Sequence, residues 1–116
     1  MGTLKYNYHD AVIEKVEITE TVLSFYIDLY PVFYPARPKI KLQFDITNNY
    51  DGCINWVEKL IAEFGYDEEG YLGARINDIS ILTEKPDSAT VFCKIDCDYM
   101  SVLKFKITFI DEIESW

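Results

Sequence analysis

The sequence predicts an α+β fold in which antiparallel β-structure predominates and one amphipathic helix packs on the sheet. Several short segments alternate apolar and polar residues with period 2, one central segment has helical periodicity, and turn-forming residues separate them. The chain has 116 residues, of which 49% are hydrophobic, so it can bury one continuous core. We therefore expect a single domain spanning residues 1–116.

Three strands are predicted in the first half, at residues 11–19, 22–29 and 39–46. The first two read as a hairpin, because Glu20 and Thr21 supply a tight connection between two alternating segments. Residues 31–38 contain three of the four prolines, which lack the N–H that a ladder needs, so this stretch is expected to be a loop. The third strand begins directly after it.

A helix is predicted at residues 52–64, between the two groups of strands. Turn and capping residues occupy positions 47–51, and Gly65 stands where a C-terminal cap is expected. The apolar residues recur at helical spacing, which predicts one buried face and one face in water: Ile54, Val57, Leu60, Ile61 and Phe64.

The second half resembles the first in outline. Residues 9–46 and 77–110 align as a possible internal repeat, and both end in a Lys-x-Lys strand, at Lys39–Lys41 and at Lys104–Lys106. The pattern predicts two three-stranded meanders, or about six strands, joined by the helix. Strand order, and the choice between an open sheet and a sandwich, stay open at this level.

The three cysteines are predicted to be structural. Cys93 and Cys97 share a face of one strand but lie about 13 Å apart, so they can form neither a mutual disulfide nor a shared zinc site. Cys53 opens the helix far in sequence from the single histidine, so it lacks a partner base. We predict no metal and no cofactor.

No catalytic motif is recognisable, so an enzyme is not predicted. His9 and Asp10 form the one acid–base pair, without a second histidine or a nucleophile elbow, and a structural turn is the simpler interpretation. A rival hypothesis is a small-molecule-binding domain or small enzyme whose pocket lies between sheet and helix, lined by Tyr26, Tyr30, Trp56 and His9.

Charge points to a protein partner. The formal net charge is −9, from 20 acidic and 11 basic residues, which repels nucleic acid and anionic membrane surfaces and favours a basic protein. Three surface patches combine carboxylates with aromatic side chains, as interfaces do. They comprise Tyr66, Asp67, Glu68, Glu69 and Tyr71; Tyr26, Asp28, Tyr30 and Tyr34, continuing into Phe33; and Asp111, Glu112 and Glu114, followed by Trp116.

Two further expectations concern assembly and location. Strands flanked by tyrosines could pair edge to edge, so a self-associating structural domain is a third hypothesis. The chain has no apolar run long enough to span a membrane, no signal-peptide pattern at its start and an odd number of cysteines. This combination predicts a cytoplasmic protein.

The start of the chain resembles a known class of proteins. His9-Asp10-Ala11, followed by a hairpin whose second strand ends in Ile27-Asp28-Leu29-Tyr30, is similar to small bacterial domains that include immunity proteins of polymorphic toxin and contact-dependent inhibition systems. The resemblance covers about the first third of the chain. It implies a small acidic protein that binds a cognate toxin, often a basic nuclease, and covers its active site.

Overall fold

The computed structural model describes residues 4–36, 38–83 and 91–114. Trp116, which the sequence placed beside the third patch, lies outside these ranges. The elements, in chain order, are β1 (Val12–Thr19), β2 (Val22–Asp28), β3 (Lys39–Asp45), a 3-10 turn (Thr47–Asn49), α1 (Tyr50–Phe64), β4 (Ala74–Thr83), β5 (Val91–Cys97), β6 (Leu103–Lys106) and β7 (Ile110–Glu114). The predicted α+β class is confirmed.

All seven strands belong to one antiparallel sheet with the order β6-β5-β4-β1-β2-β3-β7. The two meanders, β1-β2-β3 and β4-β5-β6, meet where β1 pairs with β4. That pairing is short, because only Val12 opposite Arg75 and Ile13 opposite Ala74 are in register. Beyond this crossing the two strands diverge, and among the described residues each leaves part of one edge without a neighbouring strand.

The sheet must be strongly rolled, because β6 and β7 lie at its opposite edges while only residues 107–109 connect them. Seven strands in a flat sheet would separate those edges by about 29 Å. The connection reaches at most about 15 Å. Accordingly, Phe44 of β3 and Phe105 of β6 meet across the concave side, with ring centroids 6.1 Å apart.

Helix α1 fills this concave side. Its buried residues are Cys53, Trp56, Val57 and Leu60. The Trp56 ring lies 6.3 Å from that of Phe25, and its indole N–H donates to the Ser101 carbonyl at 2.8 Å. The helix starts two residues before the predicted position and ends as predicted at Gly65, whose positive φ of 66° suits glycine.

Each meander begins with a β-bulge, between Ile13 and Lys15 in β1 and between Ile76 and Asp78 in β4. When the two meanders are aligned at their bulges, Cys93 of the second corresponds to Leu23 of the first. The alignment of residues 9–46 with 77–110 had matched Cys93 to Phe25, so the structural correspondence differs from it by two residues. Cys53, Cys93 and Cys97 are all buried free thiols, as expected for core residues. With this alignment, the cross-strand row Val16–Phe25–Leu42 of the first meander corresponds to the row Ile79–Ile95–Leu103 of the second.

β7 is the one strand that the sequence did not predict. The possible second repeat was expected to run to residue 110, but β6 ends at Lys106 and β7 then adds to the edge of β3, with Asp111 opposite Gln43. Three carboxylates in five residues do not resemble a strand, and only the neighbouring β3 explains why this segment is extended. Among the described residues, no helix is both long and apolar enough to cross a membrane.

Candidate protein-binding surface

The convex face of the sheet carries compensated charge. Its strands present most of the lysines, namely Lys15, Lys39, Lys41, Lys94, Lys104 and Lys106. Acidic neighbours accompany several of them: Lys39 lies 3.1 Å from Glu14, and Lys15 lies 3.8 Å from Glu17. This face offers no large excess of either sign.

The opposite, helical side has uncompensated acids. Residues 50–73 contain six carboxylates and a single cation, Lys59. The six are Asp51, Glu58, Glu63, Asp67, Glu68 and Glu69, and all are exposed. Within the described ranges, no lysine or arginine lies at ion-pair distance from any of them. The negative surplus of the chain is therefore concentrated here, on α1 and the loop after it.

The first predicted patch is this acidic loop, Tyr66–Tyr71, and its residues divide into two roles. Asp67 is structural, because its carboxylate accepts hydrogen bonds of 2.9 Å from the backbone N–H groups of Glu69 and Tyr71. Tyr66 is also anchored, since its hydroxyl accepts from the Val16 N–H at 3.1 Å. Glu68 and Glu69 are left to project their carboxylates into solvent from a loop of fixed shape.

The second predicted patch lies on the convex face and is less acidic than expected. The Tyr26 ring sits between two ammonium groups, 5.2 Å from Lys15 and 5.3 Å from Lys41. Asp28 shares this face and lies opposite Lys39 in the ladder. A basic partner would meet two lysines around Tyr26, and the single carboxylate of this patch, Asp28, lies beside a third, so the patch has no negative surplus.

The proline loop continues the second patch with aromatic contacts. Tyr30 and Phe33 meet edge to face with centroids 5.3 Å apart, and Phe33 lies 6.4 Å from His9. Tyr34 is half-buried against Tyr6, and its hydroxyl accepts from the Asn7 N–H at 2.9 Å. Tyr34 therefore holds the N-terminal segment in place.

The third predicted patch is largely occupied by the chain itself. Glu112 accepts from the Tyr8 hydroxyl at 2.6 Å, and from the N–H groups of Lys5 and Tyr6. Glu114 forms an ion pair of 2.6 Å with Lys5. Asp111 points to the convex side and is exposed. Two of these three acids thus fasten residues 4–8 across the concave side of the sheet.

The four residues of the rival pocket do not come together. Tyr26 is on the convex face, whereas Trp56 is buried against Phe25 on the concave face. His9 is exposed, with Nδ1 2.9 Å from the Asn77 carbonyl and Nε2 3.4 Å from Asp10. Buried side chains of sheet and helix, among them Phe25, Trp56 and Leu60, belong to one core cluster where the pocket was expected.

Asp10 belongs to an ionic cluster around Arg75. The guanidinium bonds Asp98 at 2.7 Å and also Asp10, and its hydrogen bond to Asp98 holds the pKa of that carboxyl below its usual range. Asp10 has a φ of 62°, so the cluster stabilises an uncommon backbone conformation at the entry to β1. The described residues contain no group of three or more His, Cys, Asp or Glu able to hold a metal ion.

One surface residue was missed by the sequence reading. Tyr99, in the turn between β5 and β6, is 83% exposed and has a φ of 64°, which is rare for a bulky residue. Its ring lies 6.3 Å from that of Phe64 at the end of α1. Aromatic residues also stand at ordinary turn positions, so nothing in the sequence distinguished Tyr99 before the turn geometry was known.

No protein-family model matches the chain, and neither the curated proteins nor the solved structures contain a match to it.

Proposed function

We propose that the chain is an immunity-type protein, which binds a cognate basic toxin in the cytoplasm and neutralises it by covering its active site. The observation that supports this most is the separation of charge: six exposed carboxylates and one cation in residues 50–73, against the compensated convex face. Carboxylates presented on a rigid surface can take the place of phosphate oxygens in the site of a nuclease, which is the toxin class we favour.

The binding surface in this proposal consists of the outer face of α1 and the acidic loop Tyr66–Tyr71. Tyr99 adjoins this surface, because its ring contacts that of Phe64, the last residue of α1. Exposed aromatic side chains next to desolvated charges are the usual anchors of protein interfaces. Tyr66, Tyr71 and Tyr99 supply such rings beside Glu63, Glu68 and Glu69.

The test is association kinetics with the basic protein encoded next to the chain in its own genome. Replacing Glu63, Glu68 and Glu69 with Lys reverses the local charge without disturbing Asp67, whose hydrogen bonds shape the loop. We expect the association rate to fall about tenfold or more at low salt, and its salt dependence to weaken. The matched control is a triple Lys variant of Glu17, Glu20 and Asp111, which changes the net charge equally, elsewhere.

Two outcomes would overturn the proposal. One is equal slowing by both triple variants, since that would show an effect of net charge rather than of this surface. The other is the absence of a complex, together with failure of the chain to relieve growth inhibition when the neighbouring protein is produced in the same cell.

A further inference from the structure

Strand β4 has an open edge. It pairs with β5 from Ile76 to Thr83, but on its other side it pairs with β1 only at Ala74 and Arg75. Past the bulge, residues 78–83 have no strand partner on that side among the described residues. Six residues of a ten-residue strand therefore border a gap in the sheet.

The backbone groups that face this gap can be identified from the ladder. Val91 of β5 lies opposite Thr83 of β4. The carbonyl of Val91 accepts a hydrogen bond of 3.0 Å from the Ile107 N–H, so the backbone of Val91 faces away from β4. Val91 and Thr83 are therefore a non-hydrogen-bonded pair. Since such pairs alternate along an antiparallel ladder, Ile79, Ile81 and Thr83 direct their N–H and C=O groups to the open edge.

The other sheet edges are protected against adding a strand, whereas the described part of the chain offers no such protection at this one. β7 carries three carboxylates in five residues, and β6 has only four residues, two of them lysines. The free edge of β1 is covered at Val16, whose backbone N–H donates to the Tyr66 hydroxyl. Residues 78–83 hold a single charge, Asp78, in an otherwise uncharged segment. Charge, shortness and covering are the devices that natural proteins use to block edge pairing.

A cleft of about 310 Å³ runs along the same edge. Its lining joins residues 4 and 6–8 of the N-terminal segment to residues 78–81 of β4. No backbone hydrogen bond connects the two walls within the described part of the chain. The far wall is fixed, because Glu112 and Glu114 hold Lys5, Tyr6 and Tyr8. The cleft is therefore a gap with two fixed walls that lies next to an open strand edge.

We propose that the open edge of β4 receives an extended segment of another protein, in which apolar and cationic residues alternate. The apolar side chains of an added strand would enter the cleft beside Ile79 and Ile81. The alternate side chains would lie on the convex side near Asp78, an exposed carboxylate with no cation at ion-pair distance among the described residues. The net charge of −9 opposes a second copy of the chain. Asp78 and Asp96, which lie opposite each other in the β4–β5 ladder, place two carboxylates on the convex side of this edge and favour a cationic segment.

The probe is a seven-residue peptide of alternating Lys and Val, acetylated and amidated, titrated into the ¹⁵N-labelled chain. We expect the backbone amide signals of Ile79, Ile81 and Thr83 to shift, and their hydrogen exchange to slow about tenfold at saturation. A peptide with Glu in place of Lys tests the charge. A Lys–Val peptide with Pro at the central Val tests the ladder, because Pro removes a donor. Both should bind at least about tenfold more weakly.

Variants of the chain locate the site. Ile81→Pro removes an N–H that faces the open edge and not β5, so it should fold and lose peptide binding, whereas Ile81→Val should keep it. If Ile81→Pro does not fold, Thr83→Pro at the exposed end of the strand serves instead. The proposal is overturned if shifts appear on α1 and the acidic loop instead of β4, if the Pro peptide binds equally well, or if light scattering shows that a second copy occupies the edge.

Discussion

The hydroxyl of Tyr8 donates a hydrogen bond of 2.6 Å to the carboxylate of Glu112, 104 residues away in sequence. Tyr8 is 1% exposed, so its end of the bond is shielded from water, and Glu112, which is half-buried, also accepts from two backbone N–H groups. This contact attaches the N-terminal segment to the last strand of the sheet. It thereby fixes one wall of the cleft beside β4.

Tyr8→Phe should make the protein less stable at neutral pH and remove part of its alkaline sensitivity. Burial, followed by the hydrogen bond to Glu112, raises the pKa of Tyr8 far above its usual value of 10. A raised folded-state pKa stabilises the protein fully below pH 10, and the stabilisation declines above it as Tyr8 ionises in the unfolded chain. At pH 7 we expect a loss of about 1.5–3 kcal/mol.

The measurement is urea unfolding of both proteins between pH 7 and pH 11.5. Above pH 10 the wild-type free energy of unfolding should fall by up to about 1.4 kcal/mol per pH unit more than that of Tyr8→Phe. The two curves should therefore converge. Parallel curves would mean that Tyr8 ionises equally easily in the folded protein, contrary to the buried bond.

Asp45 gives the corresponding prediction in acid. It accepts from the Thr47 hydroxyl at 2.6 Å and from the hydroxyl of Thr108, and these bonds, that of Thr108 first, lower its pKa. Because Thr108 lies in the three-residue connection between β6 and β7, this carboxylate helps to keep the sheet rolled. A lowered folded-state pKa contributes stability above the unfolded value of 3.8, which is lost as the pH falls through the folded pKa.

Asp45→Asn should therefore lower the free energy of unfolding by about 1–3 kcal/mol at pH 7. The difference from wild type should shrink below pH 3.8. Guanidinium unfolding at pH 7, 5 and 3 checks this, and Thr108→Val should reproduce about half of the effect through the same contact. A constant difference at all three pH values would show that the hydrogen bonds do not depend on the charge of Asp45.

The alternating strands and the helix were predictable because periodicity is local information. Residues 22–28 and 39–45 bury their apolar face, as their sequence indicates, and leave the other face partly accessible except at Ser24 and Asp45, which are buried. β7 was not predictable, because Asp111, Glu112 and Glu114 favour solvent unless β3 and the N-terminal segment supply partners. Rolling of the sheet depends on long-range contacts such as that of Asp45 with Thr108, which no short window contains.

The candidate surface was predictable in part. Composition revealed the negative surplus, and the loop 66–71 was identified from its sequence. Sequence spacing did not reveal that the Asp67 carboxylate would accept hydrogen bonds from the loop backbone, or that Lys15 and Lys41 would flank Tyr26. Residues close in space but far along the chain decide which carboxylates remain available to a partner.

The cysteines should be unreactive in the folded protein. Burial raises the pKa of Cys53 to about 11 and, with smaller contributions from Asp96 and Asp98, that of Cys97 to about 12. Burial also raises the pKa of Cys93. Since the thiolate is the reactive form, all three thiols should resist iodoacetamide at pH 8 and react within minutes in guanidinium. Rapid labelling of one native cysteine, located by mass spectrometry, would refute its burial.

Tyr99 offers a test of whether the surface has been shaped for binding at the expense of stability. A bulky residue at φ 64° costs about 1–2 kcal/mol relative to a residue suited to this conformation. Tyr99→Asn should therefore raise the free energy of unfolding by about 0.5–1 kcal/mol, after loss of the ring contact with Phe64. Urea unfolding measures the change, and Tyr71→Asn, at an exposed site without positive φ, is the control.

A stabilised Tyr99→Asn that also binds the basic partner more weakly would identify the exposed ring as an anchor kept for function. A destabilised variant would instead assign Tyr99 to the packing of the turn against α1.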